Sequence, residues 1–567
     1  MDQFSQFSPW PLSGTSATGL DALLFDPGAA SWEAQRYGFN WAGKDDMLRQ
    51  LAEPAAGVLQ PQPEASEHFE GSANLIVEGD NLQVLKRLLP AYRQQVKMIY
   101  IDPPYNTGRG FLYPDNFRQP LASYRREAGG GSGGESEGRL HARWLNMMYP
   151  RLKLAREMLR EDGVLFVSID DHEVHTLRMI LDEIFGAANF VAMFPWQSRT
   201  SRQNDTDLSV QHEYVLAYAR QRRHKQRRLK PDNADLWHHL EGFAAYPAPV
   251  DPSRYANPDN DPRGPWKADP FDAPNLRPRL TYAITNPATG QVHWPPEGRC
   301  WRTGEDRFRE LLADGRIVFG RRGRTRPQLK VFYAEKRAYG ETASTWLDGA
   351  TFGTATAGTR ELQGLFDGAS PFSYPKPTSL VRFLLRLATG PDDLVMDFFA
   401  GSGVTGHATL AQNQEDGGRR RFALVQLPEP TLDKRWPTIA DLTRERLRRS
   451  AAVLASEAGF RAFRLGPPPP AGAPPWHWLP ELGVPLHARL ESLDSERGLY
   501  RLEHQDERAT LCTAATPSGA LLESILADDP DDLVLAEGAL EGRAGLRDRL
   551  QQQLARRGAR LRFGPRG

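Results

Sequence analysis

Four consecutive residues, Asp102-Pro103-Pro104-Tyr105, combine types that could bind an amino group on a planar base. Proline fixes its own backbone and lacks an N–H, so this stretch presents carbonyl oxygens rather than donors. A carboxylate and a rigid carbonyl are the two acceptors that an exocyclic amino group needs, and the tyrosine ring offers a face for stacking. The alternative is a turn that only ends a strand and leaves a tyrosine on the surface.

A second run, DFFAGSGVT from Asp397 to Thr405, is a glycine-rich turn between a predicted strand and a predicted helix. Glycine lets the backbone approach a ligand closely, and a helix N-terminus favours a negative group. The run lacks the Gly-Lys-Ser/Thr ending of phosphate-binding loops, which argues against a nucleoside triphosphatase. Glu429 follows the next predicted strand, where an acid can hold ribose hydroxyls, so the spacing suits an adenosine-containing cofactor. A tight turn without any ligand is the alternative.

Both runs follow apolar stretches that are typical of buried strands. Strands are predicted at 74–79, 96–101, 164–169, 213–218, 394–398 and 422–427, and helices at 82–89, 142–160, 174–185, 379–388 and 405–412. Strands that alternate with helices indicate a mostly parallel sheet covered on both faces, so the predicted fold class is α/β and doubly wound. Such sheets bind ligands at the carboxyl ends of their strands, which is where both runs lie.

The α/β pattern stops in the middle of the chain, where prolines, glycines, tryptophans and arginines dominate. After residue 466 two proline clusters predict a stiff linker. We therefore predict five parts: an N-terminal arm (1–70), the first half of the core (71–220), an inserted domain (221–370), the second half of the core (371–466), and a Pro-rich linker with a C-terminal accessory domain (467–567).

Composition excludes several classes of protein. Of 567 residues, 40% are hydrophobic and 25% charged, which are globular proportions and not those of a disordered, collagenous or coiled-coil chain. No apolar stretch is long enough to cross a membrane, and the first residues lack the features of a signal peptide, so we expect a cytoplasmic protein with no membrane association. Cys300 and Cys512 are too few for a disulfide framework or a four-thiolate zinc site, and the histidines lack ligand spacing, so no metal is expected.

The net charge is zero, but the charge is unevenly distributed. Residues 199–340 contain 26 Lys+Arg and only 17 Asp+Glu. Two clusters in this stretch could neutralise phosphates of a nucleic acid. The candidate DNA-binding residues are Arg222, Arg223, Arg227, Arg228, Arg321, Arg322, Arg324 and Arg326. Solvated charge runs on an ordinary surface are the alternative.

Together, Asp102-Pro-Pro-Tyr105 and the run from Asp397 to Gly403 resemble the DNA amino-methyltransferases, which transfer a methyl group from S-adenosylmethionine to N6 of adenine or N4 of cytosine. The catalytic motif precedes the cofactor motif, as in the permuted beta class. Longer strings resemble the modification subunit of type III restriction-modification systems: KMIYIDPPYNTG at 97–108, WLNMMYPRLK at 144–153, VSIDD at 167–171 and YPKP at 374–377. The resemblance covers about 36–430 and implies a circularly permuted, Rossmann-like methyltransferase core with an inserted target-recognition domain.

The resemblance also implies roles for individual residues. Asp102 and the Pro103 carbonyl, in a loop continued by Pro104, would accept hydrogen bonds from the target amino group while Tyr105 stacks on a flipped-out base. The residues implied to bind the cofactor are Asp80, Lys376, Asp397, Phe398, Gly401, Ser402, Gly403, Thr405 and Glu429, the last of them at the ribose. For Asp80 a helix N-cap is an equal alternative. Val404 stands where many members have threonine, and Thr405 still supplies a hydroxyl there.

The resemblance implies direct methyl transfer to N6 of adenine in double-stranded DNA, a homodimer, and an ATP-dependent restriction subunit as partner. A nitrogen acceptor needs no cysteine nucleophile and no metal. Adenine is preferred over cytosine because of the type III resemblance, although Asp-Pro-Pro-Tyr occurs with both targets. Three alternatives are a solitary N6-adenine or N4-cytosine enzyme without a restriction partner, a DNA-binding module with a decayed catalytic core, and a methyltransferase acting on protein glutamine or RNA.

Overall fold

The computed structural model describes residues 39–107, 137–202, 207–223, 242–320, 322–431, 433–469, 474–505, 507–527 and 532–564. Of the predicted site residues, Arg227, Arg228 and Arg321 lie outside these ranges. The chain divides into two compact units, one formed by Met1–Ala245 with Thr345–Gly567, the other by Tyr246–Ser344.

Strands and helices are numbered in chain order. The strands are β1 (Val58–Pro61), β2 (Leu75–Glu78), β3 (Val96–Ile101), β4 (Leu159–Ile169), β5 (Phe190–Gln197), β6 (His212–Ala219), β7 (Trp266–Pro270), β8 (Asp272–Pro274), β9 (Ile284–Thr285), β10 (Val292–His293), β11 (Arg299–Trp301), β12 (Ile317–Val318), β13 (Gln328–Phe332), β14 (Leu394–Asp397), β15 (Arg421–Gln426), β16 (Arg461–Gly466), β17 (Arg489–Asp494), β18 (Leu499–His504), β19 (Glu507–Cys512), β20 (Asp532–Ala536) and β21 (Arg560–Gly564). The helices are α1 (Lys44–Ala52), α2 (Asn81–Tyr92), α3 (Glu137–Met158), α4 (Val174–Phe185), α5 (Glu305–Ala313), α6 (Tyr333–Tyr339), α7 (Gly349–Phe352), α8 (Ala355–Leu365), α9 (Thr378–Ala388), α10 (Val404–Asp416), α11 (Ile439–Val453), α12 (Trp478–Glu481), α13 (Gly519–Ala527) and α14 (Ala544–Ala555).

The first unit is built on a nine-stranded sheet in the order β1-β16-β2-β15-β14-β3-β4-β6-β5. The six strands from β16 to β4 in this order are parallel to their neighbours, whereas β1, β6 and β5 pair antiparallel. The adjacent strands β14 and β3 come from opposite halves of the chain, so the second half of the sequence completes a sheet that the first half begins. This arrangement confirms the predicted permuted, doubly wound α/β core.

Side chains alternate between the two faces of this sheet, as they must along an extended strand. In β2, Leu75 and Val77 join the hydrophobic cluster that contains residues of α2, α3 and α4, whereas Ile76 joins a cluster with Leu447 of α11. All four residues of β2 are buried. Burial on both faces explains why the parallel strands are continuous apolar runs in the sequence.

The C-terminal part of the first unit forms a second sheet, β17-β18-β19-β20-β21, with α13 and α14. The segment that leads into this sheet packs on the core: Trp476 and Trp478 lie in the same hydrophobic cluster as Leu85. The buried Arg461 guanidinium donates hydrogen bonds to the carbonyls of Leu486 and Ala488. Residues after 474 are therefore part of the first compact unit.

The second unit is small and consists mainly of short antiparallel strands. Its largest sheet has the order β12-β13-β7, and its core contains Phe271, Trp301 and Phe308. The inserted domain was predicted at 221–370, whereas this unit spans Tyr246–Ser344. The difference at its end has a physical reason: α8 packs on α11, with Leu362 and Leu442 in one cluster of the core.

The described helices include none with the length and apolar character that a bilayer-spanning segment requires.

Candidate active site

The two motifs predicted from the sequence lie at the same edge of the large sheet. Strands β14 and β3 are parallel neighbours, with Met396 opposite Ile99. Asp397 ends β14 and Asp102 directly follows β3, so both carboxyl groups lie where parallel strands end. In open α/β sheets this edge is the usual ligand site, and here it is where the order of strands reverses along the chain.

Asp102 is the centre of a network of polar side chains. The Tyr105 hydroxyl donates to Oδ1 of Asp102 at 2.8 Å, and the Lys376 ammonium donates to both Asp102 oxygens at 2.9 and 3.0 Å. Lys376 Nζ also donates to the Tyr105 hydroxyl at 2.7 Å. Glu213 is the fourth member, with Oε2 at 3.4 Å from Lys376 Nζ and 3.2 Å from the Tyr105 hydroxyl. The Lys376 ammonium therefore interacts with the carboxyl groups of both Asp102 and Glu213.

The charge states of this network follow from its surroundings. Burial alone would lower the pKa of Lys376, but the carboxylates of Asp102 and Glu213 outweigh burial and raise that pKa. Burial, together with the same two carboxylates, raises the pKa of Tyr105 well above its ordinary value. Lys376 therefore remains an ammonium and Tyr105 a neutral phenol at physiological pH.

Residues from other elements fix the loop that carries Asp102. The indole N–H of Trp144 in α3 donates to the Pro104 carbonyl at 2.7 Å. Asn106 has a left-handed backbone with φ of 58°, and its side-chain amide donates to Glu173 at 2.6 Å. Glu173 is fully buried and also lies 2.7 Å from Nδ1 of His141. The Pro104 carbonyl thus already accepts one hydrogen bond, and the Pro103 carbonyl stays the predicted acceptor for the target amino group.

Asp397 and Thr405 stabilise the glycine-rich turn from within. The buried Asp397 accepts from the Phe399 N–H at 3.0 Å and from the Thr405 hydroxyl at 2.5 Å. Burial raises the pKa of Asp397 to about 7. Phe398 is also fully buried, and its carbonyl accepts from the Asn81 amide at 2.8 Å. These three predicted cofactor residues therefore shape the turn through contacts inside the protein.

The two glycines of the turn have backbone conformations that suit glycine. Gly401 has φ of 51° and Gly403 has φ of 83°. A Cβ at Gly401 would lie 3.1 Å from the Phe372 ring, and one at Gly403 would lie 3.0 Å from Thr443. The N–H of Gly401 donates to Gln426 Oε1 at 2.7 Å. The turn is thus held close to its neighbours and leads directly into α10.

Three more predicted cofactor residues have distinct environments. Ser402 is buried, and its Oγ accepts from the Arg446 guanidinium at 2.7 Å. Glu429 is half-buried beyond the end of β15; desolvation raises its pKa, and its carboxyl group has no hydrogen-bond or ion-pair partner among the described residues. Asp80 caps α2 by accepting from the Gln83 N–H at 3.0 Å, so it has the N-cap role that was the alternative to cofactor binding. It also forms an ion pair with Arg151 at 3.3 Å.

The described candidate DNA-binding arginines fall into two groups. Arg222 is half-buried, and its guanidinium donates to the Phe190 carbonyl beside β5; Arg223 is also half-buried. In the second unit Arg322, Arg324 and Arg326 are exposed, and none has an ion-pair partner among the residues described there. The turn that carries them is anchored by the Asn286 amide, which donates to the Gly323 carbonyl at 2.7 Å.

Sequence reasoning missed Glu213 and predicted Lys376 as a cofactor residue; the structure places both side chains beside Asp102. Because β6 runs antiparallel to β4, the start of β6 lies at the edge where β4 ends. Glu213 is an acid near the beginning of an otherwise apolar strand, and this was the available signal. Trp144, Glu173 and Gln426 gave no comparable signal, because their contacts depend on the packing of separate elements.

Known proteins and a family model that match this chain point to the same family. The family model described as DNA methylase (N6_N4_Mtase) matches residues 96–418. The Mod subunit of the type III restriction-modification enzyme StyLTI from Salmonella typhimurium is 35% identical over 76% of this chain and 66% of its own length. The EcoP15I Mod subunit from Escherichia coli is 33% identical over 76% of this chain and 72% of its own length.

More distant proteins also align. The type II methyltransferase M.KpnI from Klebsiella pneumoniae is 29% identical over 64% of this chain and 82% of its own length. The solved PvuII DNA methyltransferase (cytosine-N4-specific) aligns with 70% of this chain and 96% of its own, at 12% identity and a TM-score of 0.32.

Proposed function

Because the chain belongs to the DNA methylase family, we propose that it transfers a methyl group from S-adenosylmethionine to N6 of an adenine in double-stranded DNA. The observation that carries this proposal is the network around Asp102, which lies at the end of β3 beside the glycine-rich turn at the end of β14. An acceptor group and a turn suited to an adenosine cofactor are thus side by side at one edge of the sheet.

The target base would be held by Asp102, Pro103 and Tyr105. One amino hydrogen would bond to an Asp102 oxygen and the other to the Pro103 carbonyl, while the Tyr105 ring stacks on the base. Because the amino group of a stacked and paired base cannot reach both acceptors inside the duplex, the adenine would leave the duplex to bind here. Asp102 is also placed to accept the proton that the amino group loses after it is methylated.

Lys376 would control the orientation of Asp102 without contacting the reacting nitrogen. Its ammonium donates to both Asp102 oxygens, so an incoming amino group would compete with these bonds for the carboxylate. Glu213 lies within 3.4 Å and can retain the ammonium during that exchange. The pair Lys376 and Glu213 thus supports a site in which Asp102 is oriented before the base arrives.

The residues present fit S-adenosylmethionine. A Cβ at Gly401 or Gly403 would crowd a neighbouring side chain, so glycine keeps the turn close. Glu429 offers a partly desolvated carboxyl group without a partner among the described residues. We propose that Gly401, Ser402 and Gly403 bind the methionine part and that Glu429 binds the ribose hydroxyls. When bound, the cofactor supplies an electrophilic methyl group. Asp397, Phe398 and Thr405 would act by holding the turn in shape.

The second unit would contact the DNA. Arg322, Arg324 and Arg326 are exposed cations without acidic partners among the described residues, which suits phosphate contacts. Arg227, Arg228 and Arg321 are proposed for the same role from the sequence alone. Arg222 is assigned a structural role instead, because its guanidinium is bonded to a backbone carbonyl.

The chain resembles Mod subunits of type III restriction-modification enzymes. From this resemblance we propose adenine as the target, a homodimer, and an ATP-dependent restriction subunit as partner. An enzyme with chromosomal DNA as its substrate would work in the cytoplasm. A solitary N4-cytosine enzyme remains the second candidate, because the Asp102 network would hold the amino group of cytosine equally well.

The test is long-read detection of modified bases in DNA from a methylation-free bacterial host that expresses the chain or its Asp102→Ala variant. We expect N6-methyladenine within one short sequence motif, only with the unchanged chain. N4-methylcytosine instead would overturn the choice of base. Soluble protein that binds S-adenosylmethionine but leaves no mark on DNA would overturn the proposal that this chain suffices for methylation.

A further inference from the structure

Arg446 of α11 is a buried cation that the proposed function does not use. Its side chain is fully buried, one terminal nitrogen donates to Ser402 Oγ at 2.7 Å, and the other lies 3.5 Å from Nδ1 of His407. Its Nε has no hydrogen-bond partner among the residues that the structure describes. Burial lowers the pKa of Arg446 to about 10 and that of His407 to about 3, so the arginine is charged and the histidine neutral at pH 7.

No carboxylate among the described residues forms an ion pair with Arg446. Glu361 is the acid that most affects it, but its carboxylate accepts from the Thr378 N–H at 2.9 Å. Arg444, two residues earlier, is also buried and pairs with both Glu78 and Asp441. A buried charge without an ion-pair partner among the described residues is unfavourable, so Arg446 is suited to a bound anion.

Ser402 connects Arg446 to the glycine-rich turn. Arginine has no acceptor, so Ser402 Oγ must accept in their bond, and the hydroxyl hydrogen is left to donate to another group. No acceptor for that hydrogen is present among the described residues. Ser402 lies one residue before Gly403, the N-cap of the 13-residue helix α10, whose first N–H groups also favour a negative ligand.

We propose that Arg446 is the positioning residue for the carboxylate of S-adenosylmethionine, acting through the Ser402 hydroxyl and the positive charge behind the turn. This inference rests on the proposed function, since it concerns the same cofactor site. Arg446 thereby selects for the amino-acid end of the cofactor, whereas Glu429 at the end of β15 would bind its ribose.

The test compares two ligands that differ only in this carboxylate. Isothermal titration calorimetry of the full chain, without DNA, would use S-adenosylmethionine and decarboxylated S-adenosylmethionine. We expect Arg446→Met to weaken binding of S-adenosylmethionine by about 10-fold or more, because the positive charge behind Ser402 is lost, and to leave binding of the decarboxylated ligand unchanged within about threefold. Arg446→Lys should restore part of the selectivity.

Arg420→Met is the matched control. Arg420 is also buried and pairs with Asp416, but it lies beyond the C-terminal end of α10, away from the turn. We expect it to leave binding of both ligands unchanged. If Arg446→Met weakens both ligands equally, or neither, the inference is overturned.

If Arg446→Met does not fold, the same two ligands are titrated into the unchanged chain and into the Ser402→Ala variant. Ser402→Ala should also weaken S-adenosylmethionine more than the decarboxylated ligand. If the unchanged chain binds both ligands with equal affinity, no carboxylate is recognised and the inference fails while the proposed function stands. If the unchanged chain binds neither ligand, the proposed cofactor itself is wrong.

Discussion

Two carboxyl groups share the Lys376 ammonium, and this sharing determines which acceptors Asp102 can offer. With Glu213 present, the ammonium lies within 3.4 Å of a second carboxylate and need not remain bound to both Asp102 oxygens. Without the charge of Glu213, Lys376 would pair with Asp102 alone. Glu213 is therefore expected to affect the chemical step although it does not contact the base.

We predict that Glu213→Gln lowers kcat by about 10- to 100-fold, because the target amino group would then compete for Asp102 with an ammonium that has no second carboxylate. The KM for DNA and the Kd for S-adenosylmethionine should change little. Steady-state kinetics and calorimetry would measure these constants. Asp171→Asn is the matched control, since Asp171 accepts from Tyr214 on the same strand without touching Lys376. An equal fall in kcat in both variants would contradict the prediction.

The glycine-rich turn and the helix after it form one element whose two ends differ in a testable way. Gly403 precedes α10 with φ of 83°, and Gly417 follows α10 with φ of 69°. A Cβ at Gly403 would lie 3.0 Å from Thr443, whereas one at Gly417 would meet no atom within 4 Å. Both substitutions strain the backbone, but only the first disturbs the turn.

We predict that Gly417→Ala lowers the free energy of unfolding by about 1 kcal/mol and leaves the affinity for S-adenosylmethionine unchanged. Gly403→Ala should destabilise at least as much and also weaken cofactor binding, because Thr443 or the turn must move. Urea denaturation and calorimetry on both variants would measure the two effects. Unchanged cofactor affinity in Gly403→Ala would show that this turn does not bind the cofactor.

The segment 322–326 in the second unit carries three exposed arginines that lack acidic partners among the described residues. We predict that replacing Arg322, Arg324 and Arg326 together with alanine weakens DNA binding. The slope of log Kd against log salt concentration should fall by up to about 3, roughly one for each lost phosphate contact. Fluorescence anisotropy at several salt concentrations would measure the slope. The matched control is Arg307→Ala with Arg309→Ala, because these exposed arginines pair with Glu310 and Glu305. An unchanged slope in the triple variant would assign DNA binding elsewhere.

The C-terminal sheet contacts the core through a group of basic side chains. His487 lies 3.1 Å from Arg421, and its ring is 5.3 Å from that of His504. Burial, with added repulsion from Arg421, His504 and Arg461, lowers the pKa of His487 to about 3. Tyr92 accepts from the Leu486 N–H beside it, and no acid is among the groups that shift this pKa.

Because the folded pKa of His487 is below its unfolded value, its neutral form stabilises the fold at pH 7. This contribution to the free energy of unfolding begins to decrease as the pH falls below about 6.5, and it decreases further toward pH 3. We predict that this group lowers the free energy of unfolding by up to about 2 kcal/mol between pH 7.5 and pH 5. The decrease should be absent in His487→Gln. Urea denaturation at both pH values would measure it. The same loss in the variant would contradict the assignment to His487.

The sequence alone determined the elements whose signals are contiguous. The strand predicted at 96–101 is β3, and the helix predicted at 174–185 is α4, because apolar periodicity over several residues reflects burial directly. The strand predicted to begin at 164 begins instead at Leu159, since pairing with β3 extends it across a bulge. The two motifs, the fold class and the family also followed from short runs of residues.

Only the tertiary structure decided which residues meet. Lys376 and Glu213 reach Asp102 because β14 pairs with β3 and β6 runs antiparallel to β4; strand order and direction are properties of the whole sheet. The same holds for Asp397 and Thr405, which hold the turn together, and for Arg446, which α11 places behind Ser402. A sequence shows which residue types are available, whereas contacts between distant positions depend on how the elements pack.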